Sequence, residues 1–182
     1  MSQRASGFAR KERDLYETPE WVTEAVLPYL LSIKGTIWEP AAGGGQIVRV
    51  LERHGYKVLA TDLAGRHADA PLMGDFLSVH DAPCDIHAVV TNPPYDLAQE
   101  FVEKALALME PAQGSVAMLL RVDWDSAATR SHLFGKCPQW RQKIVLNRRI
   151  VWFEGGASPS FNHAWYIWDW EHKGPPTIGY AA

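Results

Sequence analysis

The sequence predicts an α/β protein built on a doubly wound, mostly parallel sheet, and three observations carry that prediction. Short apolar runs alternate along the chain with segments of helical periodicity. The first run is followed by Gly43-Gly44-Gly45, and the second ends on Asp62, the spacing of a βαβ unit at a nucleotide-type site. Late in the chain, Arg149–Phe153 and Ala164–Trp168 read as strands separated by a Gly/Ser/Pro/Asn-rich loop. A connection that short suits an antiparallel pair, here placed at the sheet edge near the C-terminus.

In order, residues 1–13 are basic and polar and read as a flexible arm. Thr18-Pro19-Glu20 opens a helix, with Thr18 as N-cap and Pro19 in the first helical position. Trp21, Val22, Ala25, Val26, Tyr29 and Leu30 recur at helical spacing despite Pro28, and Gly35 ends the segment. Thr36–Trp38 is a strand, Ile47–His54 a helix stopped by Gly55, and Tyr56–Thr61 the next strand. Ile86–Thr91 is a buried strand, followed by a helix from about Leu97 to Met109 and a strand from Ser115 to Leu120. A helix over Ser126–Phe134 and a strand at Ile144–Leu146 precede the final pair. Residues 14–173 make one domain, and residues 174–182, opening on Gly174-Pro175-Pro176, are expected to be an irregular tail.

The chain has 182 residues, enough for one sizeable core, and no apolar run approaches the roughly 18 residues needed to cross a bilayer. Cys84 and Cys137 lack disulfide or metal-ligand spacing, so no metal site is expected and a reduced, cytoplasmic setting fits. The net charge of −3 hides two basic blocks. One is the N-terminal arm. The other runs from Ser126 to Phe153 and holds Arg130, Lys136, Arg141, Lys143, Arg148 and Arg149 with no acid. Such blocks are consistent with a phosphate-binding face or with a solvated surface.

The glycine loop is preceded by Glu39 at the strand end and lacks the spaced third glycine of a dinucleotide fingerprint. A carboxylate there disfavours phosphate and favours a cation or a hydroxyl. S-adenosylmethionine has an ammonium, a sulfonium and a ribose diol but no phosphate, so it fits better than NAD. Asp62 is placed to bind the ribose hydroxyls, and Asp75-Phe76 to meet the adenine. After the Ile86–Thr91 strand comes Asn92-Pro93-Pro94-Tyr95. The amide oxygen of Asn92 and the carbonyl of Pro93 both accept hydrogen bonds, and neither proline can donate one. Tyr95 offers a face to a planar substrate. The tetrapeptide therefore suits a planar group that bears an NH2.

These residues resemble those of the DNA adenine-N6 methyltransferases. Glu39-Pro40-Ala41-Ala42-Gly43-Gly44-Gly45 is similar to their glycine-rich motif, and Asn92 to Tyr95 to their catalytic motif. Tyr16, Thr18 and Pro19 resemble the N-terminal motif that touches the methionine part of the cofactor, and the motif order is the γ arrangement. The resemblance covers about residues 15–120. It implies a Rossmann-like fold and S-adenosyl-L-methionine as cofactor, with Tyr16, Thr18, Pro19, Glu39, Pro40, Ala41, Gly43, Gly45, Asp62, Leu63, Asp75, Phe76 and Asn92 around it. It implies methyl transfer to adenine N6, most simply in DNA, with Asn92, Pro93, Pro94 and Tyr95 at the reacting amine. Tyr95 would receive a base taken out of the stack. Phe153 or Phe161 would close the other side, and Arg130, Arg141, Lys143, Arg148 and Arg149 would contact phosphates. Trp124 lines the target pocket or is simply packed beside a helix-capping Asp125. His163, in the late loop, is not required as a base. RNA adenine and protein glutamine methyltransferases share the tetrapeptide, and a non-catalytic subunit would keep the fold alone. No separate target-recognition domain is expected, so recognition is loop-borne, relaxed, or supplied by another subunit.

Overall fold

A computed structural model describes residues 16–63, 72–152 and 161–182; the basic arm and Phe153 lie outside those residues. Eight strands form one sheet: β1 (Thr36–Glu39), β2 (Lys57–Asp62), β3 (Leu72–Met73), β4 (Ile86–Thr91), β5 (Ser115–Arg121), β6 (Trp140–Leu146), β7 (His163–Asp169) and β8 (Thr177–Ala181). Their spatial order is β3-β2-β1-β4-β5-β7-β6-β8. The pairings are parallel except that β7 runs antiparallel to both β5 and β6. The chain adopts the predicted Rossmann-like, mostly parallel sheet with antiparallel pairing near the C-terminus, but the antiparallel strand expected at the edge is the internal β7, and the edge is the parallel β8.

Side-chain alternation along β5 shows why helices must cover both faces. Val116, Met118 and Leu120 join Phe101, Val102, Ala105 and Met109 of α3 (Ala98–Met109) in one core layer. Ala117 and Leu119 point the other way, into a layer with Val22 of α1 (Glu20–Glu24) and Ile47 and Leu51 of α2 (Gln46–Arg53). Chain order reverses between β1 and β4, so the carboxyl ends of those strands frame a crevice. Among the described residues, no helix is long and apolar enough to cross a membrane.

Several local expectations give way. Thr18 is not a cap: α1 starts after Pro19, carries no side-chain cap, and ends at Glu24, with Pro28 inside a separate 3₁₀ turn, Leu27–Tyr29. Residues 126–134 form 3₁₀ turns, Trp124–Ser126 and Ala128–Leu133, instead of an α-helix, and Asp125 caps neither. Residues 149–152 are not a strand; the antiparallel partner of β7 is the longer β6. The expected tail contributes β8, whose register runs from Gln142↔Thr177 to Leu146↔Ala181.

Trp165, fully buried on β7, donates its indole N–H to the carbonyl of Val22 at 2.7 Å, tying the sheet to α1. Trp165→Phe should leave that buried carbonyl unpaired and lower unfolding free energy by about 1–3 kcal/mol. The urea midpoint reads the change, and an unshifted midpoint would remove this tie from the account.

Candidate active site

The site is assembled at the carboxyl ends of β1, β2 and β4, where side-chain bonds join the strand ends. Glu39, fully buried at the end of β1, accepts from the amide of Ala41 at 3.0 Å and from the hydroxyl of Thr91 at the end of β4. Its second oxygen, Oε2, is buried without a partner. Burial, reinforced by the nearby charge of Asp62, raises the Glu39 carboxyl from 4.5 to about 8, against the lowering effect of its two hydrogen bonds. Asp62 at the end of β2 accepts from the amide of Gly43 at 3.1 Å. That contact needs the left-handed backbone of Gly43 (φ 52) and Gly45 (φ 80), which a Cβ would strain.

Asn92 follows β4 directly. Its Nδ2 donates to the hydroxyl oxygen of Thr18 at 3.1 Å and to the carbonyl of Tyr16 at 3.4 Å. A peptide carbonyl only accepts, so the amide nitrogen must face Tyr16 and the amide oxygen must face away. That oxygen, Oδ1, is buried and unpartnered. Tyr16 and Thr18 thus do what the resemblance did not assign them, which is to aim the Asn92 acceptor.

The ring of Tyr95 lies in an aromatic cluster. Tyr16 stacks on it at 6.4 Å between centroids and His163 at 5.8 Å, while Trp152 meets it edge-on at 6.5 Å. The hydroxyl of Tyr95 is buried without a partner, and burial pushes its pKa up. His163 is not a loop residue: it opens β7 opposite Arg121 and is 4% exposed. Burial and, next, the Arg121 charge lower its pKa to about 4, so the ring is neutral, and its Nδ1 has no partner. Trp152 was missed because residues 149–153 read as a strand; the alternation of Arg149, Ile150, Val151 and Trp152 gives no signal for this role.

The remaining predicted residues divide. Pro93 is buried and Pro94 exposed, and Pro40 and Ala41 follow Glu39 in the loop. Leu63, 65% exposed, lies just beyond Asp62. Asp75 accepts from the amide of Leu77 and caps a 3₁₀ turn. Phe76 is a core residue at 2% exposure, packed against Trp38 and Phe101. Trp124 is packed against Phe134 and Tyr166 under the guanidinium of Arg130. Phe161 is covered by Arg121, whose guanidinium carbon lies 3.9 Å from its ring centre. Arg141 pairs with Asp169 at 2.9 Å and Lys143 with Asp125 at 2.7 Å, so both cations have a carboxylate partner within the fold. Arg149 bonds Asn162, and Arg148 lies on the ring of Trp21.

Two variants test this geometry. Tyr95→Phe removes a buried hydroxyl that makes no bond, so the thermal midpoint should hold or rise; a clear drop would show that the hydroxyl is bonded. Glu39 has its folded pKa raised, so the folded state holds the proton between pH 4.5 and about 8 and its stability falls as pH rises through that window. Glu39→Gln should flatten that fall in urea titrations across the window. An unchanged slope would mean that Glu39 is ionised in the folded protein.

No protein-family model and no curated protein sequence matches the chain. Solved structures do match. A candidate RNA methyltransferase from Pyrococcus horikoshii aligns over 91% of this chain and 93% of its own, with TM-score 0.65 and 16% identity. A candidate class I S-adenosylmethionine-dependent methyltransferase from Listeria monocytogenes aligns over 88% of this chain and 62% of its own, with TM-score 0.56 and 15% identity. A type I restriction-modification methyltransferase subunit from Streptococcus thermophilus aligns over 87% and 46%, with TM-score 0.58 and 13% identity. The chain thus spans about half to two thirds of the length of the latter two. At these identities the likeness is one of fold: the chain has the Rossmann-like fold of S-adenosylmethionine-dependent methyltransferases.

Proposed function

We propose that the chain is an S-adenosyl-L-methionine-dependent methyltransferase that modifies the exocyclic N6 amine of adenine in DNA. One observation carries the reading. The Asn92 amide is pinned through its nitrogen, which leaves Oδ1 as a buried acceptor without a partner at the end of β4. An amino group on a planar ring supplies the donor that this acceptor lacks.

The residues present fit the cofactor. The unpartnered Oε2 of Glu39 suits an ammonium, and the Gly43–Gly45 turn lets backbone approach closely. Asp62 would accept from the ribose hydroxyls, Asp75 from the adenine amine, and Tyr16, Thr18 and Pro19 would flank the methionine part. Leu63, Pro40 and Ala41 would line the remainder. When bound, the cofactor supplies an electrophilic methyl group. Asn92 Oδ1 and the Pro93 carbonyl accept from the substrate NH2, which favours a pyramidal nitrogen and stabilises the positive charge that grows on it. Tyr95 orients the ring, and the neutral His163 beside it adds no charge to repel a nitrogen that becomes cationic.

The RNA reading also has a specific support, the match to the Pyrococcus structure along nearly the full length of both chains. Protein glutamine as substrate and a non-catalytic subunit are the further outcomes of the test, as is a requirement for a separate specificity subunit. Radiolabelled S-adenosylmethionine is offered with unmethylated DNA, total RNA and a protein extract, followed by nucleoside digestion. Label in N6-methyladenine from DNA is expected; label only in RNA or protein replaces the substrate. Asn92→Ala should lower transfer by about 100-fold or more while cofactor affinity changes little. Loss of cofactor binding in that variant would overturn the role of Asn92.

Cofactor binding should also release protons near pH 7. Glu39 is protonated there, with its carboxyl at about 8, and an ammonium favours the carboxylate. Binding heats measured in buffers of different ionisation enthalpy should differ, and the difference should vanish in Glu39→Gln. Equal heats in the unmodified protein would exclude Glu39 as the ammonium partner.

A further inference from the structure

Beside the Asn92–Tyr95 site lies a cleft of about 510 Å³, within the roughly 300–1,000 Å³ range of ligand pockets. The glycine turn, Glu39 and Asp62 lie outside its lining, while Thr18 and Pro19 belong to it, so it adjoins the expected cofactor crevice and extends beyond it. Its lining includes Glu17, Thr18, Trp21, Arg148, Arg149 and Trp152. Two of these residues join it to the site. Thr18 accepts from Asn92, and Trp152 lies edge-on to Tyr95.

Arg148 decides what the cleft suits. Its guanidinium carbon lies 4.3 Å from the centre of the Trp21 ring, and no carboxylate answers it among the described residues. An arginine guanidinium over an indole ring can keep N–H edges for a planar or tetrahedral anion. This separates it from Arg141 and Lys143, whose charges are taken up by Asp169 and Asp125. The same lining offers the carboxylate of Glu17, which already accepts from Gln46 at 3.3 Å, as an acceptor for base N–H groups. A cleft whose lining combines a cation over an indole, a carboxylate acceptor and two tryptophans matches a nucleotide, which has an anionic phosphate, a flat face and N–H edges.

We propose that this cleft binds the nucleotide next to the target base in a single strand of DNA, with its phosphate on Arg148 and its base against the half-buried ring of Trp152. The inference rests on the nucleic-acid reading of the neighbouring site. It implies that recognition begins with one flanking nucleotide, read in a locally unpaired strand.

The test uses fluorescein-labelled oligonucleotides with one adenine in a thymine run, intact or abasic at the position 5′ or 3′ to it. Anisotropy is read with the full chain and with Arg148→Ala and Arg148→Lys. In the unmodified protein, one of the two abasic positions should weaken binding about tenfold. In Arg148→Ala the intact strand should bind about as weakly as the abasic one, with the salt slope reduced by about one. Arg148→Lys should restore the slope but not the abasic penalty. Equal abasic penalties in the unmodified protein and Arg148→Ala would overturn the inference, as would weaker cofactor binding in Arg148→Ala by calorimetry. If the strand binds as described but N6-methyladenine never forms, the proposed chemistry fails while the cleft stands. If N6-methyladenine forms with no abasic penalty, the cleft fails alone.

Discussion

The orientation of one amide governs the site. Asn92 has two chemically opposite ends, and only one can meet the carbonyl of Tyr16. That bond spans a large sequence separation and brings the chain just before α1 against the end of β4. Thr18, 4% exposed, gives up a capping role to take part in it, which explains why α1 begins without a side-chain cap. The Glu39–Thr91 bond joins the ends of β1 and β4, and the Gly43–Asp62 bond joins the loop to the end of β2. Three strand ends are thereby held in fixed relation, and the acceptor of Asn92 is aimed by the frame and not by a flexible loop.

Around this frame the protein favours neutral forms. Glu39 holds its proton up to about 8, and His163 stays deprotonated down to about 4. Both shifts have the same leading cause, removal of water, and they act in opposite directions because one group is an acid and the other a base. The result is a crevice whose polarity comes from the Asp62 charge together with the dipoles and lone pairs of its neutral groups. Such a site adds little electrostatic penalty to a neutral amine approaching it and retains the means to stabilise a cation later, through Glu39 Oε2 and Asn92 Oδ1. Arg121, whose guanidinium lies over the Phe161 ring, is the register partner of His163 and adds its charge to the burial that depresses the His163 pKa.

Local signals made the βαβ half legible in the sequence. Glu39, the glycines, Asp62 and Asn92 are set by strand ends and turns, which depend on a few neighbouring residues. The C-terminal half depends on partners distant in sequence. Arg141 and Lys143 broke the apolar pattern of β6 and read as surface charge, because Asp169 and Asp125, which answer them, lie 28 and 18 residues away. Gly174-Pro175-Pro176 signalled a stop correctly, but a stop does not reveal that five residues beyond it will pair in parallel with β6. His163 failed for a related reason: its neutral, buried state is created by Arg121 and the aromatic rings packed around it, none of which adjoins it in sequence.

Buried polar atoms without partners are few in folded proteins, and their placement here is uneven. Six occur among the described residues, and four of them, Glu39 Oε2, Asn92 Oδ1, Tyr95 OH and His163 Nδ1, lie at one end of the sheet. Each costs about 1–3 kcal/mol if nothing bonds it. A core evolved for stability alone would satisfy or delete them, as the fold does elsewhere: Trp165 and Trp168 both find backbone carbonyls at 2.7 Å. Two of the four are carboxylate or amide oxygens, and the aromatic cluster that holds the other two presents flat apolar surface. A ligand that relieves all of this strain on folding must bring donors on a planar frame together with a separate cationic group. The amino-bearing base and the ammonium-bearing cofactor of the proposed reaction would bring both kinds of donor.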